Sequence, residues 1–554
     1  MTRRKALEFL AAGASAAAAQ TSPSDIDAIV KNHDHAVDGL LSRQITDSKS
    51  RGYGSLPAHD AVSADIGLYS ANSAASLVAS YTAAYLHPSS KFHGDNLLIE
   101  RIRLAIGFLN RVQHADGFID LLETNFDSPP DTGFTVHNLA TAACLAQRAG
   151  NRELVGLSEP FLRKAAGGLA IGGIHTPNHR WVVSSALAQI NEIFPDPRYL
   201  HRIDQWLGEG IDIDDDGQWT ERSTSVYNTV CDRAFVVLAA KLKRPELLDP
   251  VRRNLNAMLY LMHPDYEVVT EISNRQDRNQ RGTMGGYWFP LRYLAMRDQN
   301  GQFATIANHF TPANASLPAM MEYPEIAGPL PAPEPVPTEY SKPLPHLGVV
   351  RFRSGALSST VLWDNPTFFT FRNGSAVIDA VRFASAFFGK GQFAGSKLEA
   401  AGDRLVLSQT LEGPYYQPLD PPRRVTPASW GSVRRDRATS QVCHLTQTAH
   451  LTQTKSGSQI RFQADGFAGV PLAIEITFRD TGRIEGGERL TPETYLLNSP
   501  TATYKTGTDT IRFGPGLSEH RYTQVRGALP RIPGQTVYLT GFTPLDHTVT
   551  FEAV

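Results

Sequence analysis

Tyr323-Pro-Glu-Ile-Ala-Gly-Pro-Leu-Pro-Ala-Pro-Glu-Pro-Val-Pro-Thr338 divides this 554-residue chain into two stretches of different periodicity. Eight prolines fall between Pro324 and Pro345. Proline lacks the amide hydrogen and clashes with the preceding helical turn, so residues 323–345 are expected to form an extended, semi-rigid connector. Upstream, apolar residues recur every three or four positions. Leu98, Ile102, Ala105, Leu109 and Val112 form one such stripe after a capping residue at Asp95, and Asp116-Gly117 closes it. Similar patterns begin near Ser70, Phe134, Val155, Arg180, Pro197, Thr224, Pro245 and Tyr287. About ten helices in hairpin succession predict an α/α toroid over residues 24–322. Downstream, Gly348-Val-Val-Arg-Phe-Arg-Ser354, Thr367-Phe-Phe-Thr-Phe-Arg372, Gln459-Ile-Arg-Phe-Gln-Ala464 and Leu472-Ala-Ile-Glu-Ile-Thr-Phe478 alternate or run as β-rich segments. An antiparallel β-sandwich is expected over 346–554, giving an α+β, two-domain chain.

Lys and Arg total 53 against 55 Asp and Glu, a balance that gives no electrostatic case for nucleic acid or an anionic membrane surface. An anionic partner therefore needs a local basic site. Thr2-Arg3-Arg4-Lys5-Ala6-Leu7-Glu8-Phe9-Leu10 leads into an alanine-rich stretch ending at Ala17-Ala18-Ala19 and resembles a twin-arginine export signal. Removal of residues 1–19 and a periplasmic or secreted location are expected. No later segment reaches the roughly 18 uninterrupted apolar residues that span a bilayer. Cys144, Cys231 and Cys443 are too few for a disulfide framework and lack metal-type spacing, so each is expected to be a small hydrophobe and no metal or cofactor is implied by them. Nothing in the sequence indicates a subunit number.

Three upstream stretches carry reactive groups. His175-Thr176-Pro177-Asn178-His179-Arg180-Trp181 puts a proline ahead of an amide, an imidazole and a helical pattern. Asn178 and His179 are expected at a helix amino terminus, which faces anions well; Asn178 as a plain cap is the structural alternative. Gly210-Ile-Asp-Ile-Asp-Asp-Asp-Gly-Gln-Trp-Thr-Glu-Arg-Ser-Thr-Ser-Val-Tyr227 runs into a helix whose first turns carry Tyr227, the preferred acid or base. A phenol titrates near ~10, so service as a base requires a neighbouring cation such as Arg222, Arg275 or Arg278. Glu221 is expected to accept hydrogen bonds from the site or from arginine. Asp212, Asp214 and Asp216 before Gly217 resemble the opening of a calcium loop, but the twelfth position counted from Asp212 is Ser223 rather than Glu. A polar turn is expected there, with a structural calcium as the alternative. Thr270-Glu-Ile-Ser-Asn-Arg-Gln-Asp-Arg-Asn-Gln-Arg281 is dense in groups that grip carboxylates at two points. Trp181, Trp219, Tyr287 and Trp288 offer faces for a sugar, and His137 and His175 are further lining candidates. Amide, imidazole and phenol together suit β-elimination from a uronic acid, in which a neutral polar group offsets the substrate carboxylate so that a base can take the hydrogen on C5.

The Asn178-His179 pair, the Asp216-Gly217-x-x-x-Glu221-Arg222-Ser223 stretch leading to Tyr227, and Ile272-Ser273-x-Arg275-Gln276-Asp277-Arg278 resemble the toroid half of heparinase II/III-like polysaccharide lyases. The resemblance covers residues 60 to 310 in motif detail and implies a β-sandwich after the toroid. It also implies that Asn178 and His179 neutralise a uronate carboxylate while Tyr227 protonates the leaving oxygen and serves as base. Family members often carry a histidine-rich stretch early in the β domain; the comparable Phe368-Phe-Thr-Phe-Arg-Asn-Gly-Ser-Ala-Val-Ile-Asp379 has no histidine, and Arg372 is the substrate contact expected there. A missing second base favours glucuronate, whose H5 and O4 share one face. The partner expected is an acidic polysaccharide or oligosaccharide, and two other functions are the alternatives. One is a glycoside hydrolase using two carboxylates from Asp131, Asp212, Asp214, Asp215, Asp216 and Glu221. The other is a non-catalytic glycan-binding protein.

Overall fold

Helices that bury most of their faces need other helices around them, and the chain uses four such helices as a central ring. The computed structural model describes residues 23–57, 69–401 and 404–554; the expected leader over residues 1–19 lies outside them. Ala71–Leu86, Pro129–Arg148, Asn178–Ile193 and Tyr227–Leu242 pack on one another in that order. Between them run Asn96–Val112, Arg152–Leu169 and Pro197–Gly208, each packed on the outside of its neighbours. The two classes differ in composition. Asn178–Ile193 is buried at every position except Asn191 and Glu192, whereas Pro197–Gly208 buries only Tyr199 and Ile203. Asn96–Val112 starts where its spacing places it, with the Asp95 side chain accepting from Leu97 N–H at 2.9 Å.

The ring is closed by its last helix. Leu317–Glu322 packs on both Ala71–Leu86 and Pro129–Arg148, and Pro23–Arg43 packs on Gly301–Asn314. Glu322 ties three inner helices at once: its carboxylate accepts from Thr141 Oγ1 at 2.5 Å and Gln189 Nε2 at 3.0 Å, and pairs with Lys241 Nζ at 2.8 Å. Both charges are almost fully buried. Breaking such a pair by removing one partner typically costs about 3–5 kcal/mol, because the other charge stays buried alone.

Contacts divide the chain into one unit ending at Val336 and a second comprising Pro337–Val554 with His263–Asp265. The second unit contains a sheet of eight strands and a sheet of ten. Their facing side chains, among them Phe371, Phe383 and Ile476 from one sheet and Phe462, Ile511 and Phe551 from the other, share one apolar core. Two details differ from expectation. Strand Glu339–Leu344 begins inside the proline-rich run; it is the sheet's edge, where Pro343 needs no ladder N–H on its open side. The sandwich is also not purely antiparallel, since Thr494–Leu496 pairs parallel to Gln535–Phe542. The chain between them visits the other sheet at Ala502–Thr506 and Asp509–Gly514, the kind of crossover a parallel pair requires. No helix among the described residues is long and apolar enough to cross a membrane.

Candidate active site

Two inner helices bring their amino termini to the site. Pro177 occupies the cap position of Asn178–Ile193 and offers no side-chain bond, so Asn178 is the first helical residue and not the cap. Its side chain turns instead to Glu221: Asn178 Nδ2 donates to Glu221 Oε1 at 2.7 Å, and the Asn178 backbone N–H donates to the same oxygen at 3.3 Å. A carboxylate only accepts, which fixes the nitrogen of the amide toward Glu221. Asn178 Oδ1 is buried without a hydrogen-bond partner among the described residues.

His179 is 6% exposed and stacks edge-on with His175 at 4.6 Å and with Phe134 at 6.3 Å. Its Nδ1 is also buried without a hydrogen-bond partner among the described residues. Burial, reinforced by His175 and Arg275, pushes its pKa down to about 3, so the imidazole is neutral at pH 7.

Tyr227 opens the neighbouring helix, and its backbone N–H donates to Ser223 Oγ at 3.0 Å. The phenol oxygen accepts from Gln276 Nε2 at 3.0 Å, and the Arg275 guanidinium lies 4.8 Å from the ring centre. Arg275 Nε is also 3.5 Å from Glu221 Oε2. Arg275 thus links the residues expected from the sequence: it pairs with the carboxylate that holds Asn178, covers the Tyr227 ring and helps to keep His179 neutral.

Local structure explains why these groups converge. Ile213 and Trp219 form an antiparallel bridge around the acidic turn, and Gly217 takes φ +78° there with no room for a Cβ, which would lie 2.5 Å from the Arg253 carbonyl. Trp219 is then anchored by its Nε1 to Asp232 Oδ1 at 3.0 Å and by stacking on Phe235, so Glu221 leaves the turn in a fixed position. Asp277 clamps the two motif loops together. It accepts from Ser223 Oγ and Ser225 Oγ, both at 2.9 Å, from Ser225 N–H at 3.2 Å, and from Ser273 Oγ.

Several expected substrate contacts lie elsewhere. Trp181 is fully buried with its Nε1 on Asp212 Oδ1 at 2.7 Å, and Tyr287 is fully buried with its hydroxyl on the Thr224 carbonyl at 2.5 Å; these two, like Trp219, are packing residues and present no face to a sugar. Their polar tips find protein partners, which is how large amphipathic rings become core. His137 is a satisfied interior residue, bonded through Nδ1 to Gln189 and through Nε2 to Ser185; burial, then the charge of Arg233, lowers its pKa to about 4. Asp212 also pairs with Arg180 at 2.9 Å, and Asp214 accepts from Gln218 N–H within its own turn. Arg278 is exposed and Arg222 is half-buried with φ +53°, whereas His175, also exposed, does lie in the site, with its ring edge-on to His179. Arg372 belongs to the second unit, buried on strand Phe369–Asn373, 3.6 Å from Asp265.

Gln276 and Arg233 were not singled out in the sequence. Gln276 stands in the Ile272-Ser273-x-Arg275-Gln276-Asp277-Arg278 motif, but its residue type alone assigns it no role there. Arg233 follows Asp232 in Tyr227–Leu242, a charged pair directly ahead of the apolar run from Ala234 to Ala240, and that contrast marks it. It lines a cavity of about 530 Å³ among the inner helices, together with Asn138, Gln189, Trp288 and Asn314. Asn178, His179 and Tyr227 do not line that cavity. Arg233 is exposed and makes no hydrogen bond or ion pair with a described residue.

No protein-family model matches the chain, and neither does any curated protein sequence. Solved structures do. Chondroitin AC lyase from Streptomyces coelicolor A3, in complex with chondroitin sulphate, aligns with 96% of this chain and 80% of its own at 11% identity and a TM-score of 0.57. Xanthan lyase from Paenibacillus aligns with 96% of this chain and 57% of its own at 9% identity and a TM-score of 0.56. The chain has the fold of these polysaccharide lyases. In that fold the helical unit precedes the sheet unit, the order seen here.

Proposed function

We propose that the chain is a polysaccharide lyase that cleaves an acidic glycan by β-elimination at a 4-linked uronate, glucuronate by preference. The observation that carries this proposal is the Asn178–Glu221–Arg275–Tyr227 chain of contacts beside a neutral His179. Asn178 keeps one amide hydrogen beyond the one given to Glu221, and a neutral imidazole can donate one more, so the uronate carboxylate meets donors at a helix amino terminus. The acidity of C5–H rises as that charge is offset. Tyr227, as tyrosinate between Arg275 and Gln276, takes the C5 proton; the C4–C5 double bond forms as the C4–O4 bond breaks, and the phenol returns the proton to O4. One residue performs both transfers only if H5 and O4 lie on the same face, as in glucuronate.

The likeness to lyases named for chondroitin and xanthan supports the reaction class. Three of the six carboxylates that a hydrolase would draw on are held in structural contacts: Glu221 by Asn178 and Arg275, Asp212 by Trp181 and Arg180, Asp131 by Asn125 and Ser128. Arg233 is assigned to an anionic group of a neighbouring sugar, being a guanidinium presented to a cavity of oligosaccharide size. The test is digestion of a panel of uronate polymers, following ultraviolet absorbance of the unsaturated sugar and product mass. Elimination gives absorbing fragments one water lighter than hydrolysis does. Saturated products would assign a hydrolase, and cleavage of only galacturonate or iduronate chains would reject the single-tyrosine scheme.

A further inference from the structure

Strands Arg404–Tyr416 and Thr439–Thr454 are neighbours in the eight-stranded sheet, joined by a long connection. Between Asp420 and Arg437 that connection holds five arginines, two aspartates and no lysine or glutamate, in a chain whose net charge is −2. Aromatic rings stand beside the arginines: Trp430 is more than half exposed, and Tyr416 is over a third exposed. The Arg434 guanidinium lies 4.6 Å from the Tyr416 ring centre and donates to its hydroxyl at 3.1 Å; Arg437 lies 5.0 Å from the Trp430 ring centre. Each of these two rings thus has a guanidinium against it. Arg437 Nη1 donates to the Gln417 carbonyl at 3.1 Å, while its Nε is buried with no hydrogen-bond partner. Arg423 pairs with Asp436, which neutralises one charge of each sign. Arg424 and Arg435 are exposed and make no hydrogen bond or ion pair with a described residue.

We propose that Tyr416 and Trp430 with Arg424, Arg434 and Arg435 form a second glycan-binding surface, on the β-sandwich, that takes a stretch of sulfated or carboxylated polysaccharide. Exposed aromatic faces receive the C–H faces of sugar rings, and guanidinium groups receive sulfate or carboxylate at two points. Neither group alone selects this ligand: a bare apolar patch suits another protein, and a bare basic patch any polyanion. The surface needs none of the residues assigned to elimination, so it stands whether or not that reaction is correct.

The test uses the full chain, with heparin and chondroitin sulfate as anionic probes and dextran as the neutral one. Binding is measured without turnover in a Tyr227→Phe background. The Arg424→Ala/Arg435→Ala pair should weaken anionic binding about tenfold at low salt and much less at high salt. Trp430→Ala should weaken it at both salt levels, with melting temperatures unchanged. In the Tyr227-intact chain the same variants should slow cleavage of long polymer and spare short oligosaccharides. Unchanged heparin and chondroitin sulfate affinity would overturn the proposal, as would an equal loss toward dextran. A changed molecular mass in light scattering with binding intact would reassign the surface to self-association and overturn it too.

Discussion

At the scale of residues, Glu221 is the group whose removal separates positioning from chemistry. Glu221→Ala leaves the Asn178 amide buried without its acceptor, a loss of about 1–3 kcal/mol that should lower the melting temperature and the rate together. Glu221→Gln keeps an acceptor and should retain the fold, with activity reduced because Arg275 loses its counter-charge; differential scanning and initial rates separate the two. Tyr227→Phe removes only the phenol oxygen and should lower kcat by about 10²–10⁴-fold while leaving polymer binding in place, as read by rates and by titration. The positions of Asn178, Glu221 and Tyr227 were legible because proline, glycine and capping patterns locate helix starts. The fate of an aromatic ring was not. Trp181 and Tyr287 look as suited to a sugar as to a core until the partners of their polar tips, Asp212 and the Thr224 carbonyl, are known.

At the scale of elements, the two motif loops act as one because Asp277 bonds both. Asp277→Ala should leave three serine hydroxyls without their common acceptor and free Arg275 and Gln276 from Tyr227. The expected outcome is a fall in kcat larger than any change in KM, with Asp277→Asn recovering part of the rate; steady-state kinetics on a soluble uronate polymer checks it. Long helices such as Asn96–Val112 were legible from the spacing of Leu98, Ile102, Ala105 and Leu109 alone. The short hairpin Ile119–Leu121 with Asn125–Ser128 was not, since three or four residues cannot establish a period of two. Strand Glu339–Leu344 was hidden by Pro343, which argues against a strand everywhere except at an edge.

At the scale of the whole molecule, buried neutral histidines set the response to acid. Burial lowers the pKa of His33, His137 and His179 in the helical unit and of His263 in the other, to about 4 for His137 and about 3 for His179. Each is held neutral in the folded chain but takes a proton near pH 6.5 when unfolded, so the unfolded state binds more protons below that pH. Stability should therefore be complete above about pH 6.5 and fall steadily as pH drops toward 4 and 3, by a few kcal/mol in all. Urea unfolding at pH 7, 5.5 and 4.5 checks it; a flat profile would mean that these rings are not buried. The Glu322 contacts carry a consequence for biosynthesis. Lys241 emerges from the ribosome after Glu192 but 81 residues before Glu322, the more deeply buried of these two carboxylate partners, so a nascent chain halted short of Glu322 should stay protease-sensitive however many of its helices have already formed.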